Sequence, residues 1–142
     1  MSGDRRRFLD TNVLVYAFDV AAPADKRDKA QRLVEEAILG DNLCCSAQVL
    51  SEFFVTVTRK GTRLMPAEQA GGIVNQLRSI CIVDIDAALV LRGIEVHQRH
   101  QTSYWDGLII AAAERAGCST VLSEDLSDGQ DYGGVTVLNP FA

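Results

Sequence analysis

The sequence predicts an α/β protein in which a parallel sheet carries helices on both faces. Three observations lead there. Five short apolar runs are separated by longer stretches whose apolar residues repeat at helical spacing. Strands that alternate with helices of about a dozen residues form parallel sheets, because a parallel pair needs a long crossover. The chain has 142 residues, so residues 1–142 are read as one domain with one core.

Each element has its own local reason. Residues 1–5 are expected to be a loose end, and a first strand runs from about Arg6 to Asp10. Asn12 to Phe18 is a helical segment, broken by Asp19 to Pro23. Ala24 to Leu39 is an amphipathic helix with Ala30, Leu33, Val34, Ala37 and Ile38 on one stripe. Lys26, Arg27, Arg32 and Glu35 occupy its other face, and Gly40 ends it. Leu43 to Cys45 is a second strand. Ser46 is the N-cap of a helix reaching about Lys60, with Leu50, Phe53, Phe54 and Val57 inward and Gly61 as its stop.

Pro66 is expected as the first residue of the next helix, where its missing N–H costs nothing. Ala70, Ile73, Val74 and Leu77 face inward there. Ile80 to Val83 is the third strand, and Asp84 or Asp86 caps a helix to about Arg99. A loop at His100 to Thr102 leads to a strongly apolar helix, Tyr104 to Ala116, closed by Gly117. Ser119 to Leu122 and Val135 to Leu138 complete the strands, with the polar, Gly-rich loop Ser123 to Gly134 between them.

Composition excludes several classes. A hydrophobic fraction of 47% and a charged fraction of 23% fit a soluble globular protein. The net charge of −5 argues against gripping nucleic acid by bulk charge, and fits an acidic metal pocket or a basic partner. Cys44, Cys45, Cys81 and Cys118 lie in or beside strand-like runs without metal-ligand spacing. They are expected to be buried thiols of a protein in the reducing cytoplasm. Arg5, Arg6 and Arg7 precede an apolar run, but Asp10, Asn12 and Asp19 interrupt it, so it is not a signal peptide. No apolar stretch approaches the ~18 residues of a membrane span.

Four carboxylates carry the chemistry. Asp10 ends the first strand, where open α/β sheets bind ligands, although it could simply cap the helix that follows. Glu52 lies mid-helix, opposite the stripe. Val49, Val55 and Thr56 share its side, so that face is either a second apolar layer or the wall of a site. Asp106 fits a capping box with Ser103, and a carboxylate in the first turn of a buried helix can also hold a metal. Asp125 follows a strand, in a turn where Glu124, Asp128 and Asp131 are acidic alternatives. Converging carboxylates need cations, and such ligands favour Mg²⁺ or Mn²⁺, the equipment of phosphoryl transfer.

Four stretches together resemble a PIN domain, most closely the VapC-type toxins of prokaryotic toxin–antitoxin pairs. They are Phe8-Leu9-Asp10-Thr11-Asn12 with Val13-Leu14-Val15-Tyr16, Ser51-Glu52-Phe53, Trp105-Asp106-Gly107-Leu108-Ile109-Ile110-Ala111-Ala112-Ala113, and Leu122-Ser123-Glu124-Asp125-Leu126. The resemblance spans nearly the whole chain. It implies a PIN-like three-layer sandwich around a five-stranded parallel sheet in the order 3-2-1-4-5. It implies a metal-dependent endoribonuclease, a homodimer, and an antitoxin that covers or fills the acidic site, with DNA reached only through that antitoxin. Asp10 and Asp106 match the family's metal ligands, Glu52 its helix acid and Asp125 its fourth acid. Asn12 and Ser123 match polar supports that orient the ligands. Gly107 departs from the Ala of many relatives, which should relax the helix slightly.

The expected reaction is in-line hydrolysis of an RNA phosphodiester, leaving a 3′-hydroxyl and a 5′-phosphate. Asp10 and Asp106 would chiefly hold the Mg²⁺ (or Mn²⁺) that activates the water, and Glu52 would complete the site or help deprotonate that water. Arg59, Lys60, Arg63, Arg99 and Arg115 could supply charge for RNA or be scattered surface residues. His97 and His100 are expected at the surface. Tyr104 and Trp105 could stack a base, but Trp105 at helical spacing reads as core.

Rival readings are weaker. An aspartyl-phosphate enzyme needs a late lysine, and the only lysines are Lys26, Lys29 and Lys60. A non-catalytic PIN-like scaffold would have lost acids that are all present here. An RNA-processing nuclease outside any toxin–antitoxin pair shares every site residue, and an antitoxin reading frame upstream would argue for the toxin.

Overall fold

The protein, seen here as a computed structural model, is described over residues 6–61 and 64–142. The expected loose end at residues 1–5, and Arg63 as an RNA contact, lie outside the described residues. The elements run β1 (Arg7–Leu9), α1 (Thr11–Phe18), α2 (Ala24–Leu39), β2 (Leu43–Ser46), α3 (Ala47–Thr58), α4 (Ala67–Leu77), β3 (Cys81–Val83), α5 (Ala87–His100), α6 (Tyr104–Arg115), β4 (Thr120–Leu122) and β5 (Thr136–Leu138). The sheet has five strands in the order β3-β2-β1-β4-β5, all parallel, as expected. Helices flank it in the three-layer arrangement: α1 packs on α2 and α3, α3 packs on α4, and α6 pairs with α5 while touching β2 and β4.

β1 is central, and its register sets the site. Phe8 pairs with Cys44 on one side and Val121 on the other. β1 is followed by a crossover to β2 on one side, while β4 occupies the other, so the strand order reverses between β1 and β4. Such a switch point opens a crevice at the C-terminal ends of the strands. The ladder continues one residue past each strand, through Asp10 N–H to Leu122 O (3.0 Å) and Ser123 N–H to Leu138 O (3.1 Å). Those two bonds deliver Asp10 and Ser123 side by side at the crevice.

The core holds Phe8, Leu9, Leu14, Phe53, Leu108 and Ile110, each essentially inaccessible to solvent. Removing each such side chain from water contributes about 1.5–3 kcal/mol. The periodic stripes were largely predictive, with informative exceptions. Ala30, Val34 and Ala37 are buried, but Ile38 is exposed near the C-terminal end of α2. On α3, Phe53 and Val57 are buried while Phe54 is exposed. Val49 is fully buried and Val55 exposed, so only Thr56 of the three shares the wall of a cleft with Glu52.

α3 stops at Thr58, short of Lys60, because the Val57 carbonyl is taken by the returning Leu64 and Met65 amides (2.9 and 3.2 Å). Pro66 is the N-cap rather than the first helical residue, with extended backbone. Asp86, not Asp84, caps α5 by accepting from the Leu89 amide at 2.8 Å. Cys44, Cys45 and Cys118 are buried as expected, but Cys81, on the edge strand β3, is exposed. Among the described residues no helix is long and apolar enough to cross a membrane.

Gly107 does not relax α6. It is buried where α6 meets α5, and a Cβ there would stand 2.7 Å from the Gly93 carbonyl oxygen and 3.1 Å from the His97 nitrogen. Gly93 is tight as well, though less so, with the Leu108 Cα at 3.3 Å from its hypothetical Cβ. The two glycines let the helix backbones approach closely. Trp105, read as core, is instead 61% exposed.

Candidate metal centre

Asp10 is the buried centre of the site, 7% exposed. Its first role is the one that sequence offers any strand-ending Asp. It caps α1, with Oδ1 accepting from the Thr11 amide at 2.8 Å. Its second oxygen points away from the cap and accepts from the Ser123 hydroxyl at 2.7 Å and, more loosely, from the Asn12 amide at 3.5 Å. Burial pushes the Asp10 carboxyl up to about 6, against the lowering effect of the Ser123 and Thr11 hydrogen bonds. The charges of Glu52 and Asp125 raise it further.

Glu52 is half-buried on α3 and held at both oxygens. Thr11 Oγ1 donates to Oε1 at 2.7 Å, and Gln48 Nε2 donates to Oε2 at 3.2 Å. Asp106 lies in the first turn of α6, whose N-cap is Ser103; the Ser103 hydroxyl accepts from the Asp106 amide at 3.1 Å. Partial burial raises the Asp106 carboxyl, a hydrogen bond with Ser103 opposes that, and the charges of Asp125 and Glu52 raise it again. Asp106 thus takes part in the cap of α6 while the charges of two other acids reach it. Asp125 is exposed, in the loop after β4, with its amide donating to Ser123 Oγ at 3.1 Å.

The four acids thus arrive from the tip of β1, from α3, from the start of α6 and from the loop after β4, and Glu52 and Asp125 are felt by both Asp10 and Asp106. None takes an ion pair among the described residues. A cleft of about 480 Å³ is lined by Thr11, Asn12, Glu52, Arg59 and Asp125, and a second of about 320 Å³ by Asp106 and Asp125 with the loop around Gln130. No three acidic, histidine or cysteine side chains among the described residues form a ready-made ligand shell. The donors are nonetheless all hard oxygens carrying uncompensated negative charge, which fits a divalent cation such as Mg²⁺ or Mn²⁺.

The acidic alternatives near Asp125 are already engaged. Glu124 accepts from the Tyr16 hydroxyl at 2.7 Å and from Lys26 at 2.5 Å, and its backbone amide donates to Asn12 Oδ1 at 3.1 Å. Asp128 accepts from the Asn139 amide, and Asp131 from that of Gly134. Asp125 alone of these acids stands in both clefts. Lys26, on the α2 face opposite the apolar stripe, reaches across to this loop through Glu124. Thr11 and Gln48 were missed as supports. Gln48 precedes Glu52 by one helical turn, a spacing that does signal a side-chain pair.

Among the basic residues, Arg59 lines the larger cleft. Arg115 is bound to Asp86 at 2.9 Å and lies about 14 Å along α6 from Asp106, so these cations do not form one patch. His97 is at the surface, with Nδ1 2.5 Å from the Thr102 carbonyl. His100 is half-buried, stacks edge-on against Tyr132 and lines the second cleft.

Comparison with known proteins agrees with this geometry. No curated protein sequence matches the chain. Among solved structures, VapC20 of Mycobacterium tuberculosis, described as a sarcin-ricin loop cleaving toxin, superposes with a TM-score of 0.66 at 18% identity, over 84% of this chain and 89% of that one. A toxin–antitoxin complex from Klebsiella pneumoniae gives 0.65 at 18% identity, over 94% and 97%. DNA-bound VapBC from Salmonella typhimurium gives 0.64 at 17%, over 93% and 96%. These likenesses establish a shared fold. The sequence profile of the PIN domain matches residues 7–127, spanning all four acids, and the chain belongs to the PIN domain family.

Proposed function

We propose that this protein is a divalent-metal-dependent endoribonuclease, and that it acts as the VapC-type toxin of a toxin–antitoxin pair. The observation that carries the chemistry is that Asp10, Glu52, Asp106 and Asp125 come close enough for their charges to be felt by one another while none of them forms an ion pair among the described residues. Asp10 and Asp106 would chiefly hold the ion, with Glu52 and Asp125 completing its surroundings. Bound there, Mg²⁺ would acidify a water and neutralise charge on the phosphate.

The rest falls to the chain. Ser123 and Thr11 each hold one oxygen of Asp10 and so fix its carboxylate at the tip of β1. Thr11 and Gln48 hold Glu52 in the orientation needed to complete the site or to accept a proton from the attacking water. Arg59, on the rim, would meet the phosphate of an incoming strand. The products would be a 3′-hydroxyl and a 5′-phosphate.

Exposed apolar surface supports protein partners. Phe54 and Val55 flank an apolar groove of about 360 Å³ between α3 and α4, and Leu91 and Ile94 are exposed on α5. Such surface suits an antitoxin and a second copy of the chain. The structural neighbours described as toxin–antitoxin complexes support the antitoxin.

The decisive assay incubates the protein with structured RNAs and Mg²⁺. Cleavage should vanish with EDTA, return with Mg²⁺ or Mn²⁺, and be lost in Asp106→Asn. Cleavage that persists in EDTA would overturn the metal-dependent reading; a folded, Mg²⁺-binding protein that cuts no RNA would favour a binding scaffold. Tyr16→Phe removes one of the two side-chain donors to Glu124. We expect about tenfold weaker Mg²⁺ binding from the loosened loop, by analogy with other ligand-orienting residues, with little change in melting temperature. Calorimetric titration checks it, and unchanged affinity would show that the clamp does not position Asp125.

A further inference from the structure

Asp125 divides the crevice into two clefts of different chemistry. The larger holds Arg59 and suits a phosphate. The smaller, about 320 Å³, has no lysine or arginine in its lining and is walled by His100, Gln101, Ser103, Gln130 and Tyr132, with Asp106 and Asp125 at its inner edge. A volume near 300 Å³ is that of a small-molecule site. A polar cleft without a strong cation, beside a phosphate cleft, matches the uncharged, hydrogen-bonding part of a nucleotide.

We propose that this second cleft is a nucleobase subsite, in which the Gln130 side-chain amide reads the edge of a base flanking the reacting phosphate. The inference rests on the ribonuclease reading above. Gln130 is placed rigidly: its N–H donates to the Ser127 carbonyl (3.1 Å) and its carbonyl accepts from Val137 (3.0 Å). Its side-chain amide takes no hydrogen-bond partner among the described residues, so donor and acceptor are both available. An amide offers paired donor and acceptor groups to a base edge. Tyr132 is anchored through its amide to the Val135 carbonyl (2.7 Å), and its ring meets His100 edge-on with centroids 5.1 Å apart. Tyr132 is itself buried, so its ring backs the half-buried His100, and His100 is the ring of the pair that a base can rest on. Gln101 adopts a left-handed backbone (φ 58°) as the C-cap of α5, and its amide nitrogen is used by the Gln98 carbonyl, leaving its oxygen free to accept.

The test has two arms on the full chain. In the first, AMP, GMP, CMP and UMP are titrated separately into ¹⁵N-labelled protein with Mg²⁺, and inorganic phosphate serves as control. At least one nucleotide should shift the Gln130 side-chain amide signal while phosphate leaves it unmoved, and Gln130→Ala should weaken that nucleotide about tenfold. Gln130→Glu, which keeps the size and loses the donor, should weaken it similarly. In the second, cut positions on a mixed RNA pool are mapped, and Gln130→Ala should redistribute them. If no nucleotide moves the Gln130 signal, or the cut positions are unchanged, the subsite is overturned and the nuclease reading stands. If the wild-type chain cuts no RNA, the nuclease reading falls, and the nucleotide arm still decides the subsite.

Discussion

Asp10→Asn will make the metal-free protein more stable at pH 7 while reducing metal-dependent RNA cleavage by about 10³-fold or more, a loss of ~4 kcal/mol in transition-state stabilisation. The two effects have one cause. Burial raises the Asp10 carboxyl from its ordinary value of 3.8 to about 6. Between those values the folded chain holds a proton that the unfolded chain has released. Stability therefore falls as pH rises from 3.8 through about 6, and at pH 7 the ionised carboxylate costs up to about 3 kcal/mol. Asn removes that charge and can still cap α1 through its one oxygen, while its amide nitrogen takes the place of the oxygen that accepts from Ser123 and has to donate to that hydroxyl instead. At about 3 °C per kcal/mol, the expected rise in melting temperature in EDTA is several degrees. Mg²⁺ should stabilise the wild-type chain and leave Asp10→Asn unmoved. Thermal melts at pH 7 and pH 5, with and without Mg²⁺, measure both. A variant less stable than wild type in EDTA at pH 7 would show that the carboxylate is compensated within the fold.

Gly107→Ala should destabilise the protein by about 1–3 kcal/mol. On helix propensity alone it should help by up to about 1 kcal/mol. The tertiary contact decides the sign. The new methyl would sit 2.7 Å from the Gly93 carbonyl oxygen, and that atom is backbone in a neighbouring helix, so it cannot swing aside. α5 and α6 must separate instead. Asp106 precedes Gly107 directly, so the shift moves a proposed ligand relative to Glu52 and Asp125, and cleavage should fall with stability. Guanidinium denaturation gives the first quantity and the RNA assay the second. A more stable variant would mean that the helices can part at no cost.

Much of this molecule was readable before any coordinates. Strand and helix order followed from hydrophobic period, caps were placed at Ser46 and Ser103 and narrowed to Asp84 or Asp86 for α5, and the sheet order followed from the family resemblance. The four acids could be singled out because each sat where a local rule gave it a position. The misplacements have a common origin. Phe54, Val55, Ile38 and Trp105 are apolar residues whose burial depends on which neighbouring helix covers them, and period alone assigns a face without saying what lies opposite.

Sequence by itself determined the class of fold, the carboxylates and their likeness to a PIN domain, because these depend on local pattern and residue type. Tertiary structure decided the rest. It engaged Glu124, Asp128 and Asp131 elsewhere and left Asp125 in both clefts. It spent Lys26 on a loop and Arg115 on Asp86. It made Gly107 a packing requirement. Each of these depends on distances between residues far apart in the chain, and only the assembled sheet, with β1 between β2 and β4, sets those distances.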